Sequence, residues 1–375
     1  MRKKVRNDTE RGEKIMSLKE IAAKTGVSMA TVSRVLNNPT YRCSSEELRQ
    51  KIWAVAREEN YIPNEAAKNL KKGITATTRK IYYIDLLITR STEGERDSFV
   101  NELMLRLESE IHRQNCILSS IYRQGIFSDD QQCMRSNLEE IVQQMRGSDG
   151  KEANGLIIIG KCNVKALEIL KRVYKNVVSV NRNSTNYMTD EVNCDGEKIA
   201  SMAVEHLVRL GHRSIGYVGD CHNESRYEGF RNTLFKYNIQ PDINYIVEAA
   251  HSEAEGFEVM ECFLKRDDKD RPTAIYCAND MLAIGMIKCL NKYRKRYYTP
   301  SIIGSDDIEE AQFTQPMLST IHIPKDEMSK FALSLLLDRI QGGHSGAVKL
   351  EVECSLVDRA SCDLPENARS MEYYI

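Results

Sequence analysis

The stretch SLKEIAAKTGVSMATVSRVLNN, residues 17–38, admits few folds. Leu18, Ile21 and Ala22 recur at helical spacing behind Ser17, which stands where a helix cap belongs. Gly26 ends that helix, because glycine takes a positive φ at little cost. Ser28 is then placed to cap a second helix, in which Val32, Val35 and Leu36 fall at i, i+3 and i+4. Small Ala22, Gly26 and Val32 sit where two helices must cross closely through a tight turn, the requirement of a helix-turn-helix. A third amphipathic helix, roughly Ser45–Asn60, carries Leu48, Ile52, Val55 and Ala56 to close a small core.

The outward residues of the second helix are Met29, Ala30, Ser33, Arg34 and Asn37. Such a face fits a DNA major groove. Arg34 can reach guanine, and Met29 and Ala30 offer apolar contacts to bases. Ser28, Thr31 and Asn37 suit phosphate oxygens, where they position without specifying sequence. The charge distribution agrees. The chain's net charge is −1, yet residues 1–80 hold 18 Lys and Arg against 9 Asp and Glu, a balance of +9 that leaves −10 for the other 295. A basic front on an acidic body points to a polyanionic partner.

Beyond residue 80 the pattern changes to short β-rich runs alternating with helical ones. KIYYIDLLIT precedes a helix over Phe99–Asn115, CILSSIY a helix reaching about Arg146, and GLIIIG a helix over Lys165–Tyr174 that leads into NVVSVN. A second series follows: Gly196–Leu210, SIGYVGD, Arg226–Tyr237, Ser252–Lys265, AIYCAND, Met281–Tyr293 and SIIGSDD. This alternation predicts two α/β subdomains with parallel sheets, and ligands bind where strand carboxyl ends face a cleft.

Other functions are poorly supported. The sequence has no GxGxxG after a strand, no Walker loop, no HExxH and no GxSxG, so no motif asks for an enzyme. Eleven cysteines without a CxxC pair predict buried reduced thiols rather than disulfides or a metal site, and no cofactor is expected. Apolar runs such as IDLLI are far too short to span a bilayer. The charged N-terminal segment MRKKVRNDTERGEKIM has no apolar stretch behind it, so a cytoplasmic protein is expected.

Residues 17–38 together with YIPNEAAKNL closely resemble the DNA-binding head of the lactose/galactose repressor family, without a gap from Ser17 to Leu36. The resemblance implies that Met29, Ala30 and Arg34 hold the base-reading positions, and the Met29–Ala30 pair looks like the galactose-repressor branch. It further implies that PNEAAKNLKKG folds as a hinge helix only on DNA, in a dimer, with Leu70 wedged into the minor groove and Asn64 and Ala67 beside it. Leu70 is the only large apolar residue between Ile62 and Ile74, which favours the wedge over a plain linker.

The body resembles the same family's core, itself similar to periplasmic sugar-binding proteins, through SRYEGF, AIYCANDMLAIG, SIIGSDDIEEAQFTQPMLSTIHIPKDEM and SLVDRAS. The resemblance implies an effector gripped by Arg226, with Asn279, Asp306 and Asn181 as polar partners. An arginine beside a carboxylate and an amide can bracket adjacent hydroxyls. Family members often carry an aromatic platform where this chain has His251, and a Tyr or Phe where it has Ser305. Both departures weaken stacking on a flat ring and favour a sugar over a purine, although His251 reads equally well as a surface histidine. In the loop TRSTEGERDSF only Ser98 and Phe99 are candidate contacts.

The expected plan is an extension over 1–16, a helix-turn-helix domain over 17–63, a hinge over 64–78, and an effector-binding and dimerisation core of two interleaved subdomains over 79–375. The expected function is a homodimeric repressor that binds double-stranded operator DNA under control of a galactose or β-galactoside type sugar. The alternative is control by a protein corepressor or phosphorylated metabolite. ENARSMEYYI shows no leucine heptad, so no coiled-coil tail is expected.

Overall fold

A computed structural model describes residues 18–37, 43, 45–58, 80–90, 97–145, 152–181, 185–222, 224–293 and 298–365. Ser17, the hinge residues Asn64, Ala67 and Leu70, and the segments 1–16 and 64–78 lie outside them, as do the last ten residues.

The head forms three helices, α1 (Leu18–Thr25), α2 (Met29–Asn37) and α3 (Glu46–Glu58). Gly26 has φ +75°, and its amide donates to the Ala22 carbonyl, which closes α1 as the sequence predicts. The Ser28 hydroxyl accepts from the Thr31 amide at 3.1 Å and caps α2. Ile21, Val32 and Ile52 are fully buried where the helices meet, with Val35, Leu36 and Ala56 around them. Trp53, the only tryptophan, completes this core and lies 4.8 Å, ring to ring, from His112 of the core below.

The core holds two six-stranded sheets. Its strands are β1 (Tyr83–Ile88), β2 (Ile117–Arg123), β3 (Gly155–Ile159), β4 (Val177–Asn181), β5 (Asp190–Asn193), β6 (Ile215–Gly219), β7 (Ile246–Glu248), β8 (Ala274–Cys277), β9 (Ser301–Asp306), β10 (Ser319–His322), β11 (Lys349–Glu351) and β12 (Ser355–Val357). The first sheet runs β11-β5-β4-β3-β1-β2, parallel throughout. The second runs β12-β10-β9-β8-β6-β7, and only β12 is antiparallel. Both are covered on two faces, so their strands read as near-continuous apolar runs.

The helices are α4 (Ser98–Arg113), α5 (Asp130–Arg135), α6 (Leu138–Met145), α7 (Val164–Val173), α8 (Gly196–Arg209), α9 (Ser225–Lys236), α10 (Glu253–Leu264), α11 (Asp280–Tyr293) and α12 (Lys325–Gln341). The single helix expected up to Arg146 is instead a 3-10 turn at Gly125–Ser128 followed by α5 and α6, because Asp129 caps a new start with its carboxylate on the amides of Gln131 and Gln132. In the second subdomain α10 and α11 pack at Gly256 and Gly285, where a Cβ on either would run into the opposing backbone.

The subdomains interleave. The chain leaves the first sheet after β5, builds the second through β10, returns along α12 to β11, and crosses again to β12. All eleven cysteines are free and only Cys262 is exposed. Among the described residues no helix is long and apolar enough to cross a membrane.

Candidate functional site

Two sites arise from this architecture. On the head, Met29 is 52% exposed at the start of α2, and Ala30 and Arg34 are exposed along the same side. Val32 and Val35 face inward, so the helix presents the predicted readers to solvent while its opposite stripe is fixed in the core. Ser28 is exposed and Thr31 half-buried at the N-terminal end, their hydroxyls 2.9 Å apart. Asn37 is the last residue of α2; its side chain lies outside the described residues.

The second site is a cavity of about 240 Å³ between the subdomains, at the carboxyl ends of their parallel strands. One wall carries Arg90, Phe99, Ser128, Gly160 and Lys161; the other carries Asp220, Glu224, Arg226 and His251. Thr89 builds the first wall. Its hydroxyl donates to the Lys161 carbonyl at 2.6 Å and its amide to Ile159, so the ends of β1 and β3 are tied and Arg90 and Lys161 stand side by side. Gly160, at φ +107°, lets the strands close this far, since a Cβ would collide with the Thr89 hydroxyl and crowd Arg90. The Phe99 ring has the Arg90 guanidinium at 5.6 Å and the Lys325 ammonium at 5.4 Å, both within cation–π range.

Arg226 is the centre of the opposite wall. Only 2% exposed, it donates from Nε to Glu224 Oε1 at 2.7 Å and from Nη1 to the Ala278 carbonyl, and its Nη2 lies 3.3 Å from His251 Nε2. Burial works against its charge, but the Glu224 carboxylate outweighs burial and holds the guanidinium ionised. Glu224 also caps α9.

Asn279 and Asp306, both buried, stand behind this wall rather than in the cavity lining. Asn279 donates to the His251 carbonyl at 3.3 Å and accepts from the Leu282 amide, which makes it a support for His251 and a start signal for α11. Asn181 ends β4 opposite Asn193, next to the lining residue Val180, and its side chain is outside the described residues. Ser305 does not reach the cavity. Its hydroxyl lies 3.1 Å from the Tyr276 hydroxyl in the core. Phe99 lines the cavity, whereas Ser98 donates to Glu310 at 2.8 Å across the two subdomains. The sequence reading missed Arg90, Lys161, Asp220 and Glu224. Arg90 and Lys161 lie two residues past β1 and β3, and Asp220 follows directly on β6, so the strand-end rule for parallel sheets was the available signal.

Asp280 is fully buried beneath this region. Its carboxylate accepts from the Thr320 hydroxyl at 2.6 Å and the Ile308 amide at 3.1 Å. Burial first, and the neighbouring Asp306 second, push it up to about 7 from an ordinary 3.8. Between these values the unfolded chain ionises while the folded one keeps its proton. Stability is therefore full below pH 4 and falls as pH rises toward 7, by about 1.4 kcal/mol per unit from this group. Asp280→Asn removes the titration; its amide oxygen can accept from the Ile308 amide while its NH2 donates to the Thr320 hydroxyl, which reverses that one bond. Relative to the parent, the variant's denaturant midpoint should climb from pH 4 to 7 and then level off; a constant offset would contradict this.

The sequence profile of bacterial regulatory proteins, lacI family, matches residues 17–64, and that of the periplasmic binding protein-like domain matches residues 204–362. The first covers the three head helices and the second most of the later core. The chain thus joins a lacI-family head to a periplasmic binding protein-like core. Among similar proteins, the HTH-type transcriptional repressor PurR of Mannheimia succiniciproducens is 27% identical over 354 residues, covering 92% of this chain and 98% of the relative. The PurR of Aliivibrio salmonicida is 28% identical over 356 residues, with the same coverage. These relatives are repressors rather than enzymes, and neither bears a galactose-branch name.

Similar solved structures share the fold. The lac repressor dimer bound to operator and the anti-inducer ONPF superposes with a TM-score of 0.59 at 24% identity, over 92% of this chain and 98% of that one. A LacI-family regulator of Enterococcus faecium with bound ribose reaches 0.61 at 24% identity over 75% and 99%, and a CelR–cellobiose complex 0.63 at 20% over 92% and 100%.

Proposed function

We propose that this regulator is a homodimeric repressor that reads an operator with α2 and whose grip on DNA is set by a small, hydroxyl-rich molecule held between the two core subdomains. The observation that carries this reading is the cavity itself. It is walled by polar groups from both subdomains, and Arg226 and Glu224 form a fixed donor–acceptor pair on one side. Such a pair donates to one hydroxyl and accepts from its neighbour. A ligand touching both walls favours the closed arrangement over the open one. It changes DNA affinity only by that difference, about 1–3 kcal/mol for systems of this kind.

The chain crosses between subdomains three times, so closure rotates the first subdomain, from which the expected hinge over 64–78 runs to the head. Met29, Ala30 and Arg34 are assigned to base edges, Ser28, Thr31 and Asn37 to phosphates, and Asn64, Ala67 and Leu70 to the minor groove. In the cleft Arg226 and His251 are assigned to direct contact. Asn279, Asp306 and Asn181 are assigned to its supporting polar set. The PurR relatives, together with the Phe99 ring, favour a second effector class, a flat nucleobase.

The reading is tested by selecting operator DNA from a random library with the full-length protein. Galactose, lactose, allolactose, ribose, cellobiose, guanine and hypoxanthine are then titrated into the complex. A change in operator affinity of about ten- to a hundredfold with one class is expected, and its sign tells release from tightening. No shift with any of them, or selection of no common sequence, would overturn the reading.

A further inference from the structure

The two walls of the cleft differ in charge, and the difference points to the chemistry of the ligand. On the wall of the first subdomain, the Arg90 guanidinium spends its Nε on Asp97 at 2.8 Å. Its Nη2 is buried and has no acceptor among the described residues. A cationic donor left so costs free energy until an oxygen meets it. Lys161, exposed at the same wall, has no ion pair among the described residues, and the Ser128 hydroxyl lies close by in the lining. Arg90, Lys161 and Asp97 together leave this wall with one positive charge in excess.

The wall of the second subdomain is the reverse. Arg226 is neutralised by Glu224 at 2.7 Å, and Asp220 adds a further carboxylate to the lining. The cavity is thus positive at one end and negative at the other. The positive end is built rather than incidental. The Thr89 hydroxyl fixes the Lys161 carbonyl, and the Asp97 carboxylate that holds Arg90 also caps α4 by accepting from the Val100 amide at 3.1 Å. The Phe99 ring lies 5.6 Å from the guanidinium and lines the same cavity.

We propose that the effector carries an anionic group, a carboxylate or a phosphate, received by Arg90 and Lys161, while hydroxyls at its other end meet Arg226, Glu224 and Asp220. The inference rests on the cleft being the effector site, as proposed above. An acidic or phosphorylated sugar satisfies both ends; a neutral sugar leaves the Arg90 donor unmet, and a plain nucleobase leaves the hydroxyl end unused. With Nε held by Asp97, the Arg90 guanidinium offers its remaining N–H groups to such a group, Nη2 once the side chain turns toward the cavity, whereas Lys161 supplies a point charge. Since the anion would meet one wall and the hydroxyls the other, the ligand as a whole would bridge the two subdomains and favour closure.

The test is calorimetric titration of the full-length protein with paired probes: glucose and glucose 6-phosphate, galactose and galacturonate, with inorganic phosphate, guanine and hypoxanthine alongside. The anionic member of at least one pair should bind ten times more tightly than its neutral counterpart, and added salt should narrow the gap. Glucose 6-phosphate, but not galacturonate, identifies a phosphate; the converse identifies a carboxylate. Arg90→Gln and Lys161→Gln should each remove most of the preference, and Arg90→Lys should restore part of it. Unchanged melting temperatures confirm that the variants fold.

Absence of preference in every pair overturns the proposal. So does Arg226-dependent binding of a neutral sugar or a base that Arg90→Gln leaves intact, and in that case the cleft reading stands. Binding that is indifferent to Arg226→Met would instead strike the cleft reading itself.

Discussion

Arg226→Ala should cost roughly 3–5 kcal/mol of stability and abolish the response to effector, because the substitution strands a buried carboxylate. Glu224 is 8% exposed and faces the Arg226 guanidinium at 2.7 Å. Removing one partner of such a pair leaves the other charged and dry, whereas removing both charges is close to neutral. The double variant Arg226→Met with Glu224→Gln should therefore recover most of the lost stability. Glutamine keeps an oxygen for the amide at the start of α9, so the cap survives. Both variants should still bind operator and neither should answer to effector. Chemical denaturation and operator titration read the two effects separately. A double variant that regains stability and also responds to effector would reduce Arg226 to a pillar of the wall; a single variant of parental stability would show that the pair is not desolvated.

That Arg226 belongs to the cleft was legible from SRYEGF, but its partners were not. Glu224 is two residues away and reads in sequence as one more surface acid. The head was legible almost to the residue, since its burial follows a local period: Val32, Val35 and Leu36 are where the helical spacing puts them. The apolar strands β1, β3, β4, β8 and β9 were legible for the same reason. β5 was not, because its sequence DEVN is fully buried yet begins with two acids. Asp190 is tolerated there because the Arg339 Nη2 reaches its Oδ1 at 2.7 Å, the Val348 amide donates to the same oxygen at 2.8 Å and the His344 Nε2 lies 2.8 Å from its Oδ2; these come from the last turn of α12 and the loop after it, some 150 residues on. No local period encodes such a compensation.

The wall of Arg90 and Lys161 was missed for a related reason. Each residue is an ordinary cation in a loop, and their pairing is made by β1 and β3 lying side by side, 70 residues apart in the chain. His251, which reads in sequence equally as a surface residue, stands in the cavity lining because Asn279 holds its carbonyl. The hinge residues lie outside the described segments, so their assignment rests on the resemblance and on the isolation of Leu70 in the sequence.

Arg34→Ala should reduce affinity for a selected operator by about 30-fold to 10⁴-fold and leave salt-sensitive binding to arbitrary DNA nearly intact. A bidentate arginine–guanine contact is worth about 1–3 kcal/mol of discrimination, and a dimer makes it twice, once in each half-site. The helix itself should not suffer. Arg34 is exposed, the buried stripe of Val32, Val35 and Leu36 is untouched, and alanine favours a helix. The loss is therefore one of reading, not of folding, and near-parental melting of the head would verify this. Non-specific binding depends on the phosphates neutralised, so its slope against salt should change by no more than about one unit per head. If sequence preference survives intact, Arg34 reads nothing. Recognition would then pass to Met29 and Ala30 alone, whose apolar contacts distinguish thymine methyl groups but no guanine edge.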